Sequence, residues 1–151
     1  MKKPKKAALE VDYSNAKVGN QTLNDYLQTR GDDFVRDWPS DKAQAETAFM
    51  TQFNTKSKGL KLTADADVVY KMVIRVKYLD MGNSAGIFMP FATAKAGGCI
   101  MSGTVDIVDL QTKSIVCTLS IDKVKGKGIP SESIRLQNMF VQLAKSIVKA
   151  K

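Results

Sequence analysis

The stretch 67–80, DVVYKMVIRVKYLD, decides the architecture. Its even positions Tyr70, Met72, Ile74, Val76 and Tyr78 are apolar, while Lys71, Arg75 and Lys77 interrupt the odd ones. A period of two over this length marks a strand with one buried face. Met101, Val105 and Ile107, then Ile115, Cys117, Leu119 and Ile121, repeat the pattern on either side of a turn at Asp109 to Lys113. Together they predict an antiparallel meander over 67–125, its first connection running from Gly82 to Gly98.

A helix-forming segment flanks the meander on each side. Over 41–57, Ala45, Ala48, Phe49 and Phe53 fall at helical spacing, with Ser40 or Asp41 as N-cap after the punctuation Trp38-Pro39-Ser40, and Lys56, Lys58 and a left-handed Gly59 as its end. Over 131–149, Leu136, Met139, Phe140, Leu143 and Ile147 form a second stripe. Leu9 to Val18 reads as an edge strand, and Thr22 as the cap of a short helix carrying Leu23, Tyr26 and Leu27. The expected fold class is α+β: a two-layer sandwich with both main helices on one face of an antiparallel sheet.

With 151 residues, 44% of them hydrophobic, the chain builds one core. The expected organisation is a basic flexible tail over 1–8 and a single domain over 9–151. Lys2, Lys3, Lys5 and Lys6 supply four units of the net charge of +8, leaving 8 − 4 = +4 for the rest, much of it in the clusters Lys56, Lys58, Lys61 and Lys123, Lys125, Lys127. Such basic turns are ordinarily a solvated surface. No apolar run is long enough to cross a bilayer as a helix. Met-Lys-Lys-Pro-Lys-Lys carries the charge of a signal peptide's first region without its apolar core, which fits either an exported protein whose signal is replaced by Met1 or a cytosolic one.

Histidine is absent, which excludes Ser-His-Asp and Cys-His catalysis and histidine-bearing zinc sites. Cys99 and Cys117 lie out of register for a disulfide, with Cys117 expected across from about Val105, and read as free buried thiols. Cys99 after Gly97-Gly98 has no base to generate a thiolate. Asp65 with Asp67, and Asp106 with Asp109, are the best carboxylate pairs for a metal or acid/base role, and both read as turn chemistry. Gly126-Lys127 lacks the remaining residues of a phosphate loop. The expectation is therefore no enzyme, with no catalytic residue, metal or cofactor. Nucleic-acid binding is disfavoured because Tyr70 and Tyr78 fall on one face of their strand and Lys71, Arg75 and Lys77 on the other.

The connection 81–98 is long, rich in small residues, and gathers Ile87, Phe88, Met89 and Phe91, which makes those four the candidate partner-binding residues.

Two strings carry a resemblance. Ala66-Asp67-Val68-Val69-Tyr70-Lys71-Met72 is similar to the Ala-Asp-Tyr-Val-Leu-x-Gly strand of small exported bacterial envelope proteins. Val105-Asp106-Ile107-Val108-Asp109-Leu110-Gln111-Thr112-Lys113-Ser114-Ile115-Val116 resembles their Val-Asp-x-x-Thr-Gly-x-Ile-Val hairpin. The group includes the curli-secretion lipoprotein, the penicillin-binding-protein activator lipoprotein and uncharacterised Bacteroidetes-type members. Its domain is also similar to the amino-terminal domain of the Tol translocation protein. This chain departs at Met72 and Lys113, where the group has Gly, and has no lipidation cysteine near its start. The resemblance implies a helix-covered sheet, export to the periplasm or envelope, and a non-enzymatic role binding another protein or an envelope component. The alternative is a cytosolic polyanion-binding module using the basic tail and turns.

Overall fold

The computed structural model describes residues 5–65, 67–81, 99–126 and 132–149. Strands β1 (Lys5–Asp12), β2 (Lys17–Val18) and β3 (Gln21–Thr22) lead into helices α1 (Leu23–Arg30) and α2 (Asp32–Lys56). After these come β4 (Leu60–Leu62), β5 (Tyr70–Asp80), β6 (Ile100–Asp109), β7 (Ile115–Lys125) and helix α3 (Glu132–Lys149). The fold is the expected α+β class, and β5, β6 and β7 form the expected antiparallel meander.

The sheet as a whole is mixed, which corrects the expectation of an antiparallel one. β1 lies between β4 and β5 and runs parallel to both, pairing Ala7 with Leu62 and with Tyr70. It is internal over Lys5–Ala7, while from Ala8 to Asp12 it pairs with β5 alone, the edge position expected from Leu9 on, and it ends at Asp12, short of the expected Val18. The long passage through α1 and α2 is what lets the chain return in parallel, a connection no hairpin can make. Lys5 to Ala8 belong to β1, so that part of the expected tail is sheet.

The helices pack on one face. Phe49 and Phe53 of α2 and Leu136, Met139, Phe140 and Leu143 of α3 are buried against Met72, Ile74 and Val76 of β5 and Met101 and Val105 of β6. The Phe49 and Phe140 rings meet edge-on with centroids 6.3 Å apart, an arrangement that suits their opposed quadrupoles. α1 forms as expected: Thr22 Oγ1 accepts from the Asp25 amide at 3.1 Å. α2, in contrast, starts at Asp32 and not at Asp41, and Pro39 lies inside it. Proline removes one backbone hydrogen bond. Trp38 packs on Tyr13 immediately before it, centroids 5.4 Å apart, and tertiary contact keeps the turn helical. α2 ends at Lys56 without a left-handed Gly59. Ser57 is extended, and Lys61 Nζ donates to the carbonyls of Asn54 and Ser57.

Three β-bulges reset the alternation that the sequence suggests. On β5, Val76 pairs with Gly103 and Tyr78 with Ser102, so Lys77 is an extra residue. Leu79 and Met81 thereby rejoin the core, and Tyr78 turns to the open face, opposite to its expected placement. On β7, Cys117 pairs with Ile107 and Ile115 with Val108, so Val116 is extra and Ile115 also turns to the open face. Further along, Asp122 and Lys123 together oppose Ser102, with Lys123 in the left-handed region at φ 51. This bulge returns Val124 to the core side.

Gly103 is fixed by the first bulge. A Cβ there would strike the Arg75 carbonyl oxygen and close on the Lys77 amide at 3.3 Å. Gly103→Ala is accordingly expected to lower the unfolding free energy by about 2 kcal/mol or more in urea titrations, since the clash is with backbone that cannot rotate away. Lys113 stands at φ 60 in the hairpin turn, where the resembling group has glycine. Lys113→Gly is expected to leave stability unchanged or raise it by up to about 1 kcal/mol, a gain read from the same titration.

Candidate functional site

Ile87, Phe88, Met89 and Phe91 lie outside the described residues. Met81 and Cys99, which bracket that connection, are both buried at one end of the sandwich. There α1, the first half of α2, the far end of β5 and the start of α3 converge. Arg135 Nε donates to the Met81 carbonyl at 2.9 Å and ties α3 to the strand end. Two cavities open at this end. The first, about 260 Å³, is lined by residues including Leu27, Asp37, Trp38, Met81 and Leu136. The second, about 360 Å³, is lined by residues including Tyr13, Ser14, Asn24, Leu27 and Trp38. Leu27 and Trp38 belong to both, so Trp38 is the partition of a two-part recess. No sequence motif marked it, because its walls come from five separate segments.

The recess is amphipathic. Asp33, Asp37 and Asp41, at helical spacing on α2, line the first cavity beside Phe34 and Trp38. Arg36 pairs with Asp33 at 3.3 Å and with Asp37 at 3.2 Å, so the carboxylates are partly balanced. Behind the second cavity, the Tyr13 hydroxyl is buried with no hydrogen-bond partner among the described residues. Burial first, then the neighbouring Glu46 and Cys99, hold that phenol well above its ordinary value. Glu46 is also raised, by burial, against the opposing attraction of Lys42. Both groups are pushed toward their protonated forms.

The open face of the sheet carries a charged network. Arg75 Nε donates to Asp106 Oδ2 at 3.1 Å and its Nη1 to Asp12 Oδ2 at 3.4 Å, while Thr118 donates to Asp106 Oδ1 at 2.7 Å. Lys71 pairs with Glu10 at 3.2 Å. The bulge brings Tyr78 to the face that holds Arg75, against their expected separation, yet Arg75 and Lys71 are engaged by carboxylates. That leaves less free positive charge on this face for a phosphate backbone. Asp109 Oδ1 accepts from the Gln111 and Thr112 amides and shapes the turn. Asp106 thus belongs to the strand network and Asp109 to the turn, and among the described residues no group of three or more ligating side chains is placed to hold a metal ion. Neither cysteine is in a disulfide; Cys99 is buried and Cys117 exposed. The exposure of Cys117, paired with Ile107 and not Val105, corrects the expected buried pair: the helices leave the hairpin end of the edge strand uncovered. Among the described residues no helix is long and apolar enough to cross a membrane.

No family model matches the sequence, and no curated protein matches it. Among solved structures, the PelC dodecamer from Paraburkholderia phytofirmans aligns over 93% of this chain and 87% of its own, at 11% identity and a TM-score of 0.46. A Xanthomonas campestris protein of the DUF330 family model aligns over 96% of this chain and 84% of its own, at 12% identity and a TM-score of 0.42. Likeness of this degree transfers no function.

Two substitutions behind the recess have opposite expectations to ordinary core damage. Tyr13→Phe removes an unsatisfied hydroxyl and is expected to hold or raise stability by about 1 kcal/mol. For Glu46, the folded-state value lies above the ordinary 4.5, so its contribution is fully present below that pH and is lost as pH rises through the folded value. Glu46→Gln is expected to raise the melting temperature at pH 7, and the gain should vanish in melts recorded below about pH 4.5.

Proposed function

We propose that this chain is a non-enzymatic, envelope-associated binding or scaffold protein that holds another protein or an envelope component at the Trp38 end of the sandwich. The observation that carries the reading is the recess divided by Trp38, at the end where Met81 and Cys99 bracket the apolar connection. Support for a non-catalytic role comes from the absence of histidine in the sequence and from the engagement of Asp106 and Asp109 in network and turn. The envelope assignment rests on the resemblance carried by the strand and hairpin strings.

Trp38 is the sole tryptophan, so its emission reports on the recess alone. A photoreactive side chain introduced at Asp37, on the rim, is expected to capture one dominant species from envelope extract. That species, once purified, should shift the Trp38 emission of the unmodified protein saturably. Asp37→Arg and the triple alanine replacement of Ile87, Phe88 and Phe91 should each weaken the shift about tenfold or more, the range in which interface anchors act. Undiminished binding by both variants would remove the assignment of the contact to this end.

A further inference from the structure

At the opposite end of the sandwich, where β5 begins and β6 turns into β7, apolar side chains stand in solvent. Val116 is 60% exposed, Ile115 56%, Val69 46% and Leu110 37%, four of the seven large hydrophobic residues exposed among those described. They are neighbours: the Leu110 amide donates to the Val69 carbonyl at 2.9 Å, Ile115 follows the same turn, and Val116 is the bulged residue that pushes it outward. Scattered exposed apolar residues need no explanation, but a cluster at one tip does.

Lysines surround the tip. β1 starts here with Lys5 and Lys6, the end of α2 and the residues after it contribute Lys56 and Lys58, and the hairpin turn contributes Lys113; Lys61 is turned inward to the α2 carbonyls. Against these five stand Asp65, Asp67 and Asp109, so the local balance is 5 − 3 = +2. Lys6 is paired with Asp65 only loosely, at 3.7 Å. The first residues of the chain, with Lys2 and Lys3, adjoin the same end in sequence.

We propose that this end rests on an anionic lipid bilayer, with Val69, Leu110, Ile115 and Val116 entering the headgroup region and the lysines meeting the lipid phosphates. An apolar centre within a ring of cations matches a surface that is negative outside and hydrocarbon beneath. A second copy fits poorly. Antiparallel self-pairing of β7 about Thr118 sets Lys113 opposite Lys123, and the bulges at Val116 and Lys123 interrupt the edge on both sides of that centre. A nucleic acid offers phosphates for the lysines but no hydrocarbon for Ile115 and Val116. The inference is independent of the Trp38 recess, which lies at the other end and would face away from the bilayer.

The test uses the full chain and sedimentation with vesicles of phosphatidylcholine alone or with about one third phosphatidylglycerol. Binding is expected to the mixed vesicles, to weaken as salt rises, and to be negligible on the neutral ones. Ile115→Ser with Val116→Ser should reduce partitioning about tenfold or more, and Lys113→Glu about fivefold or more. All three positions are exposed, and circular dichroism melts confirm that each variant stays folded. Vesicle binding that survives the serine pair, or single-stranded DNA binding equal to it at the same salt, would reduce the end to bare charge attraction and overturn the proposal. So would a dimer in sedimentation equilibrium that the serine pair dissociates in the absence of any vesicle binding.

Discussion

The parity of β5 governs this structure. A strand turns alternate residues to the same face, and β5 has to place Met72, Ile74 and Val76 beneath the helices yet also turn Leu79 and Met81 to that side. Those two sets are out of phase by one residue. The extra residue Lys77 reconciles them, and Gly103 provides the room on β6. Without that slip, Tyr78 would be driven into the core and Leu79 into water, and the end of the strand that meets Arg135 and Trp38 could not be closed.

The same device, used twice more on β7, separates the molecule into surfaces of different character. One face is roofed by α2 and α3. The other is a polar grid in which Asp106, only 6% exposed, is satisfied by Arg75 and Thr118. A carboxylate that deep in a sheet face is tolerable because both its oxygens are bound. The two ends differ as well: one recessed, aromatic and rich in Asp, the other an apolar tip among lysines.

Local pattern made the elements legible and left their pairing hidden. Strong stripes such as Leu136, Met139, Phe140, Leu143 and Ile147 identified α3 closely, and Thr22 marked the cap of α1. The bulges were illegible because each depends on what lies across the ladder: nothing in the string around Lys77 shows that Gly103 will oppose it. The parallel placement of β1 was hidden for the same reason, as were the walls of the recess, drawn from distant segments. α2 was read too short because Pro39 signals a break locally, whereas Trp38 packed on Tyr13 holds the turn in place. Lys113 shows the reverse case, a turn whose left-handed residue carries a side chain and so escapes a search for glycine.

The two roofing helices run in the same direction, since Gln44 bonds to Gln137 and Phe49 meets Phe140 further along both. Neighbouring helices that alternate in direction cancel their macrodipoles; these add. Amide-rich ends accumulate near Trp38 and carbonyl-rich ends point the other way, so the backbone itself favours acidic side chains at the first pole and lysines toward the second. Backbone and side chains therefore oppose each other along this axis: two helix ends bring about half a negative charge each to the second pole, less than its local lysine excess, so a negative boundary attracts that pole over roughly a Debye length, about 8 Å at physiological salt.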